Sequence, residues 1–275
     1  MDDIMIPKTI HYCWFGRSPK PKLVKRCIKS WKKYCKDYKI IEWNEDNYDI
    51  DAAPLYVRQA YEQKKWAFVS DYARYDILYR FGGVYLDTDV EVIKNLDKII
   101  EQGAYMGCEA DGDMLAGRRI MVSSGLGMAA PAGLPVFKEI LDSYENDVFV
   151  YPDGSLNYTT VVIRETNILL GRGLKNTNTV QTVAGIKIYP KEYFCPRNGY
   201  GGKVCKTENT YTVHHFVASW ATKQMRKGWT GGKKKKLPKY RFKILVDRFI
   251  HLPNIVAKKI LGEQKYENLK KKIKG

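Results

Sequence analysis

The run Gly82-Gly83-Val84-Tyr85-Leu86-Asp87-Thr88-Asp89 joins a glycine pair to an apolar tripeptide and then to two carboxylates. The glycines suit the C-terminal cap of a helix predicted over residues 65–80. Val84, Tyr85 and Leu86 read as a short buried strand. An extended backbone aims residues two apart, Asp87 and Asp89, to one face. Carboxylates held so close repel one another unless a cation joins them. A hard ion such as Mg²⁺ or Mn²⁺, shared with substrate phosphates, suits those oxygens.

One helix upstream, Phe68-Val69-Ser70-Asp71-Tyr72-Ala73-Arg74 sets Asp71 and Arg74 at i and i+3 on one helical face. An exposed pair of this kind stabilises little. On a helix otherwise packed with Trp66, Phe68, Val69 and Leu78, the pair is expected to point into a cleft. Further out, residues 8–14 form a first buried strand. Residues 22–34 place Leu23, Val24, Cys27, Ile28 and Trp31 at 3.6-residue spacing among lysines, and 38–43 is a second strand. This opening is that of an α/β domain. Helices are predicted at 54–63, 134–144 and 160–170, and strands at 104–109, 125–129, 186–189 and 211–216.

A net charge of +17 suggests a nucleic-acid binder until it is divided along the chain. Residues 1–222 hold 29 Lys and Arg against 27 Asp and Glu, whereas 223–275 hold 18 against 3. The basicity therefore belongs to the tail, and the nearly neutral body has no basic stripe. Composition and turn content also change near 221–238, which sets the expected division into a domain of 1–222 and a tail of 223–275. In the tail, Phe242, Leu245, Val246, Phe249 and Ile250 share one face of a basic amphipathic helix. No apolar run approaches the roughly 18 to 20 residues that span a bilayer. Asp2 and Asp3 interrupt any N-terminal leader pattern. The six cysteines have no zinc-like spacing and read as reduced thiols. The expectation is a cytoplasmic protein, with the tail resting on the inner face of the cell membrane.

Four motifs in order carry a family resemblance: Ile10-His11-Tyr12-Cys13-Trp14-Phe15-Gly16, Ser70-Asp71-Tyr72-Ala73-Arg74, Gly82 to Asp89, and His214-His215-Phe216-x-x-Ser219-Trp220. Over roughly residues 6–222 the chain resembles glycosyltransferase family 32, the DXD-motif sugar transferases that include the bacterial capsular polysaccharide type. The resemblance implies a GT-A, Rossmann-like α/β fold, a nucleotide-sugar donor, a Mn²⁺ or Mg²⁺ ion and retention of anomeric configuration. Trp14 would border the nucleotide base. Asp71 and Arg74 would hold the donor sugar and shield charge near its phosphates. Asp87 would lie by the ribose and metal, with Asp89 ligating the ion directly. The C-terminal motif would close over the diphosphate through Ser219 and Trp220, with His214 or His215 near the metal. Neighbours on a strand point to opposite faces, so only one histidine reaches the ion, and His215 is preferred. Tyr85 would line the donor site or pack beneath it. The donor is expected to be a UDP-sugar, with a GDP-sugar second. The acceptor is expected to be a saccharide, polyprenyl-linked, at an anionic membrane surface.

Two other readings compete. As the acid and base of a glycoside hydrolase, Asp87 and Asp89 would have to flank a bond at about 5 to 9.5 Å, and neighbours on one strand end sit too close and on one side. A non-enzymatic binder of anionic surfaces or nucleic acid would work through the tail alone.

Overall fold

A computed structural model describes residues 5–114, 116–197, 202–217 and 264; all of these except the last belong to one compact unit. The predicted tail helix, Ser219 and Trp220 lie outside the described residues. In chain order the elements are β1 (Thr9–Cys13), α1 (Lys22–Tyr34), β2 (Lys39–Trp43), α2 (Leu55–Glu62), α3 (Trp66–Phe81), β3 (Gly83–Tyr85), β4 (Val90–Val92) and α4 (Asp97–Ile100). There follow β5 (Tyr105–Ala110), β6 (Met121–Ala130), α5 (Pro135–Asp142), α6 (Val161–Gly171), β7 (Gln181–Val183), β8 (Ile186–Tyr189), α7 (Lys191–Phe194) and β9 (Thr212–His214).

Seven strands form one sheet in the order β2-β1-β3-β6-β5-β8-β7, and β4 pairs with β9 in a separate two-stranded ribbon. Strands β1, β2, β3, β5 and β8 run in one sense, with β6 and β7 antiparallel to their neighbours. The expected α/β class is what the chain adopts. Alternation along the strands builds two cores. Ile10, Tyr12 and Val84 pack with α1 through Cys27 and Trp31 on one face, while Cys13 and Tyr85 pack with α2, α3 and α5 on the other.

Helix α3 runs through the second core. Phe68, Val69, Ala73, Arg74, Tyr75, Ile77 and Leu78 are all buried, so nearly the whole circumference is covered. It stops at Gly82, where φ is +63° and an added Cβ would stand 2.8 Å from the Ala132 nitrogen. At Gly83, φ is +104° and a Cβ would meet the Thr9 carbonyl at 2.7 Å. Only glycine satisfies both the backbone angle and the space, so the pair terminates α3 and lets β3 slide in against β1.

Two predicted elements differ in detail. The strand expected to carry the two aspartates ends at Tyr85, and Asp87 to Asp89 form a turn closed by the Val90 N–H donating to the Asp87 carbonyl at 3.0 Å. Strand β6 is longer than its apolar core implied. It pairs with β5 at Met121 to Ser123 and again from Met128, and between these it leaves that ladder. Such a departure bends the strand and re-aims it.

Candidate active site

In open α/β sheets ligands sit beyond the carboxyl ends of the parallel strands. Here the ends of β1, β2 and β3 bring Trp14, Glu42 and Asp87 to one edge, in register through Cys13 opposite Trp43 and the Leu86 N–H donating to the His11 carbonyl. The short β4/β9 ribbon then fixes the rest. Val90 is paired with His214, so the residue before Val90, Asp89, meets the histidine ring, with Asp89 Oδ1 3.0 Å from His214 Nε2. The backbone N–H groups of His215 and Val217 donate to the Asp89 carbonyl and carboxylate at 3.0 and 2.9 Å.

One ligating atom from each of Asp87, Asp89 and His214 lies within 4.8 Å of the others. An octahedral ion with bonds of about 2.1 Å keeps its ligands about 3 to 4.2 Å apart, so small side-chain movements would close this set around a cation. The donors are two carboxylates and an imidazole, which suit Mn²⁺ or Mg²⁺ completed by phosphate oxygens. His214 Nδ1 is buried without a hydrogen-bond partner, as in a ring whose other nitrogen is meant for a ligand. The residues present therefore fit a divalent ion.

His215 stands outside this set. Its Nε2 lies 2.8 Å from Glu91 Oε2, on the far side of the ribbon. The structure sets His214, rather than the preferred His215, beside Asp87 and Asp89: the pairing of β9 with β4 turns His214 inward, a register that local alternation leaves open.

Beneath the turn, Arg74 is 4 % exposed and held through all three of its guanidinium nitrogens. Its Nη2 reaches Asp71 Oδ1 and Asp87 Oδ1, each at 3.0 Å; Nη1 donates to Ser124 Oγ at 3.2 Å and Nε to the Ser70 carbonyl at 3.1 Å. The guanidinium lies 5.1 Å from the centre of the Tyr85 ring. Tyr85 itself is 1 % exposed and packs beneath Arg74. Asp71 also accepts the Val161 N–H at the start of α6 at 3.4 Å. Trp14 is half-buried at the end of β1, its indole donating to the Ser18 carbonyl at 2.7 Å and Lys20 lying 5.6 Å from its ring.

The acids divide in character. Burial pushes Asp71 up to about 6 although Arg74 opposes it, and burial likewise raises Asp87 against the same guanidinium. At Asp89 burial acts upward too, but the charge and hydrogen bond of His214 with the Val217 N–H bring it down to about 2. Asp89 is thus the carboxylate most firmly ionised, and His214 is raised in return against the opposing effect of burial.

Two supports of the cluster have roles that the sequence reading did not assign. The Gly125 carbonyl accepts the Asp87 N–H at 3.2 Å, and a Cβ on Gly125 would overlap the Asp87 carboxylate, so β6 is the floor on which the turn rests. Glu165, wholly buried on α6, accepts from Tyr75 Oη and from the Ser124 N–H at 2.8 Å, and so holds the bent part of β6 where its Ser124 hydroxyl meets Arg74. Its signal was present: Val161, Glu165 and Leu169 fall on one apolar stripe, and an acid there needs partners.

Arg74→Lys is expected to lower turnover by about 10²-fold, because a single ammonium cannot meet two carboxylates and a hydroxyl in the geometry of a planar fork. Loss of thermal stability with unchanged turnover would make the cluster merely structural. Burial raises Glu165 to about 7 against the Tyr75 and Ser124 hydrogen bonds. The folded protein then keeps a proton that the unfolded chain releases near about pH 4.3, and stability falls as pH rises through that window. Chemical denaturation of Glu165→Gln should show a shallower fall than wild type between about pH 5 and pH 7. Parallel profiles would contradict the assignment.

Residues 21–106 match the family model described as "Glycosyltransferase sugar-binding region containing DXD motif", which ends after Asp87 and Asp89 and takes in Asp71 and Arg74. No curated protein matches the chain. Among solved structures it is similar to PaToxG glycosyltransferase at 18% identity, covering 60% of this chain and 69% of that one with a TM-score of 0.44. It is similar to a glycosyltransferase involved in glycosylation of the major capsid of PBCV-1 at 12% identity, covering 81% and 100% with a TM-score of 0.41. The galactosyltransferase LgtC, solved with donor and acceptor sugar analogs, is similar at 11% identity, covering 86% and 99% with a TM-score of 0.39.

Proposed function

With its 21–106 segment matching a glycosyltransferase sugar-binding region, we propose that the chain is a metal-dependent glycosyltransferase of GT-A type that transfers a hexosyl group, with retention, from a nucleotide sugar to a saccharide. The observation that carries the reading is the convergence of Asp87, Asp89 and His214 over a buried Arg74 at the carboxyl edge of the sheet. A bound Mn²⁺ or Mg²⁺ would supply positive charge for the diphosphate that leaves as the glycosidic bond breaks.

The chain's own residues divide the remaining work. Asp89, fixed by two backbone N–H groups and held ionised, is the principal ligand. Asp87 is turned so that one oxygen faces Arg74 and the other lies toward Gly125 and the turn. Arg74 orients Asp71 and Asp87 and, with Asp71, would hold the donor sugar and shield charge near its phosphates. Asp71, at the buried end of the cluster, would accept a hydroxyl of the donor sugar. Trp14 and the polar mouth formed with Lys20 and Glu42 would border the base, and Ser219 and Trp220 would close the diphosphate side.

We assign UDP-linked hexose as donor, GDP-linked second, and a polyprenyl-linked acceptor in capsular or other cell-surface polysaccharide synthesis. Among the described residues no helix is long and apolar enough to cross a membrane. The basic 223–275 segment would then bring the site to such an acceptor at about 1 kcal/mol per well-placed Lys or Arg. A thermal-shift series of UDP, GDP, CMP and TDP with and without Mn²⁺ tests the core reading. A nucleotide at 100 times its Kd should add about 2.7 kcal/mol, and only with the metal present at full strength. No metal-dependent shift with any nucleotide would reject it. For the membrane role, full-length protein should co-sediment with phosphatidylglycerol vesicles, release with salt, and lose binding when cut after Ala221.

A further inference from the structure

Helix α1 carries Lys22, Lys25, Arg26, Lys29, Lys32 and Lys33, all exposed, and no acid. At 3.6 residues per turn they fall within a stripe about 120° wide and about 17 Å long. Val24, Cys27 and Trp31 are buried on the opposite side. The body is nearly neutral in sum, yet it does carry a basic stripe, contrary to the reading from net charge: the balancing acids stand on other elements.

Folding alone disfavours this arrangement. Lys22/Arg26, Lys25/Lys29 and Lys29/Lys33 are like-charged at i and i+4, which destabilises a helix. The N-terminus has no side-chain cap and no acid in its first turn, so Lys22, Lys25 and Arg26 face the positive end of the helix dipole. Among the described residues none of the six cations enters an ion pair, and Lys33 lies 4.9 Å from the centre of the Tyr34 ring.

The stripe is fixed relative to the candidate active site. As the crossover between parallel strands β1 and β2, α1 starts at the carboxyl edge of the sheet and runs back from it. Its inner face is fastened to β4, the strand that begins one residue after Asp89. Trp31 Nε1 donates to the Val90 carbonyl at 2.8 Å, and the Ser30 hydroxyl accepts the Val92 N–H at 3.0 Å.

We propose that the α1 stripe is a contact for an anionic lipid surface, carried by the catalytic body in addition to the 223–275 segment, and that it sets the edge of the site against the plane of the membrane. The inference deepens the membrane role proposed above and rests on it. A row of four to eight cations on an amphipathic helix suits anionic headgroups. The stripe presents five lysines to one arginine, with no amide or aromatic side chain among them to read or stack a base, which favours lipid over nucleic acid.

Co-sedimentation of the full chain with phosphatidylglycerol vesicles tests it. Lys25→Gln, Lys29→Gln, Lys32→Gln and Lys33→Gln combined should require at least about tenfold more lipid for half-binding. Lys64→Gln, Lys175→Gln, Lys203→Gln and Lys206→Gln, exposed lysines on other segments, make the same change in net charge and should stay within about twofold of wild type. Unchanged binding by the α1 variant, or an equal loss in both, overturns the proposal. So does an α1 variant that loses affinity for a DNA duplex while keeping its affinity for vesicles. Gln is close to Lys in helix propensity, so the variant should melt at or above the wild-type temperature. Should it not fold, amine labelling of wild-type protein decides: vesicles must protect Lys25, Lys29, Lys32 and Lys33 but not Lys64, and equal labelling with and without vesicles overturns the assignment. Wild-type protein that binds no vesicles defeats the membrane role altogether, an outcome distinct from normal wild-type binding with an indifferent α1.

Discussion

Asp89→Asn is expected to fold, to lose metal-dependent nucleotide binding, and to turn over donor at least about 10²-fold more slowly. The substitution keeps volume, and its amide oxygen still accepts the Val217 N–H that anchors the turn. What disappears is the negative charge opposite the cation. In the metal-free protein the loss of the His214 ion pair is mild, because the ring can release its proton and leave no uncompensated buried charge. A destabilisation of about 1 to 2 kcal/mol is the expected size. Denaturant melts of both proteins without metal, and thermal shifts with Mn²⁺ and UDP, give the two readings. A well-folded Asp89→Asn protein with full turnover, or wild-type turnover undiminished in EDTA, would remove the basis of the mechanism.

Gly125→Ala should be nearly as damaging, although the residue has no functional group. An added Cβ would stand 2.2 Å from Asp87 Oδ2, 3.0 Å from its carboxyl carbon and 3.2 Å from Arg74 Nη1. No real contact of that kind persists near 2.2 Å, so either the carboxylate swings away from the cluster or β6 retreats and takes with it the carbonyl that receives the Asp87 N–H. Overpacking of this kind costs about 1 to 3 kcal/mol. A displacement near 1 Å in a positioned group costs about 10²-fold in rate. Gly171→Ala is the control, since a Cβ there meets nothing within 4 Å; it should leave turnover unchanged and stability equal or slightly higher. If Gly125→Ala matches wild type in turnover and Mn²⁺ binding, the close approach of β6 to Asp87 has no role in the site.

Much of the architecture lies in local pattern. The helix over 22–34 has the bounds its apolar spacing predicts, and the strand at 186–189 does too. The glycine pair stops α3 where a left-handed cap is needed. Elements without a pattern of their own were not foreseen: β4 and β7 are three residues each, and α4 and α7 four. Segments so short are defined by the partner they meet, β4 by β9 and β7 by β8.

The candidate site divides the same way. Asp71, Arg74, Asp87 and Asp89 were legible because their chemistry is concentrated in two short segments, and acids and a cation in an apolar context need partners wherever they lie. The choice between His214 and His215 was not, because strand alternation says that they diverge and not which face turns inward; the register of β9 on β4 decides that. Glu165 and Gly125 are further removed still. One is a lone acid on a helix stripe and the other a residue without a side chain, and each gains its meaning from a distant neighbour, Ser124 41 positions from Glu165 and Asp87 38 from Gly125, that chain folding alone supplies. The sequence by itself thus determined the α/β layering, the caps and the identity of the acidic cluster, all consequences of periodicity and local sterics. The tertiary structure alone decided which histidine stands beside the acids, which backbone supports them and which buried carboxylate stands behind them, since those depend on strand register and close approach between distant segments.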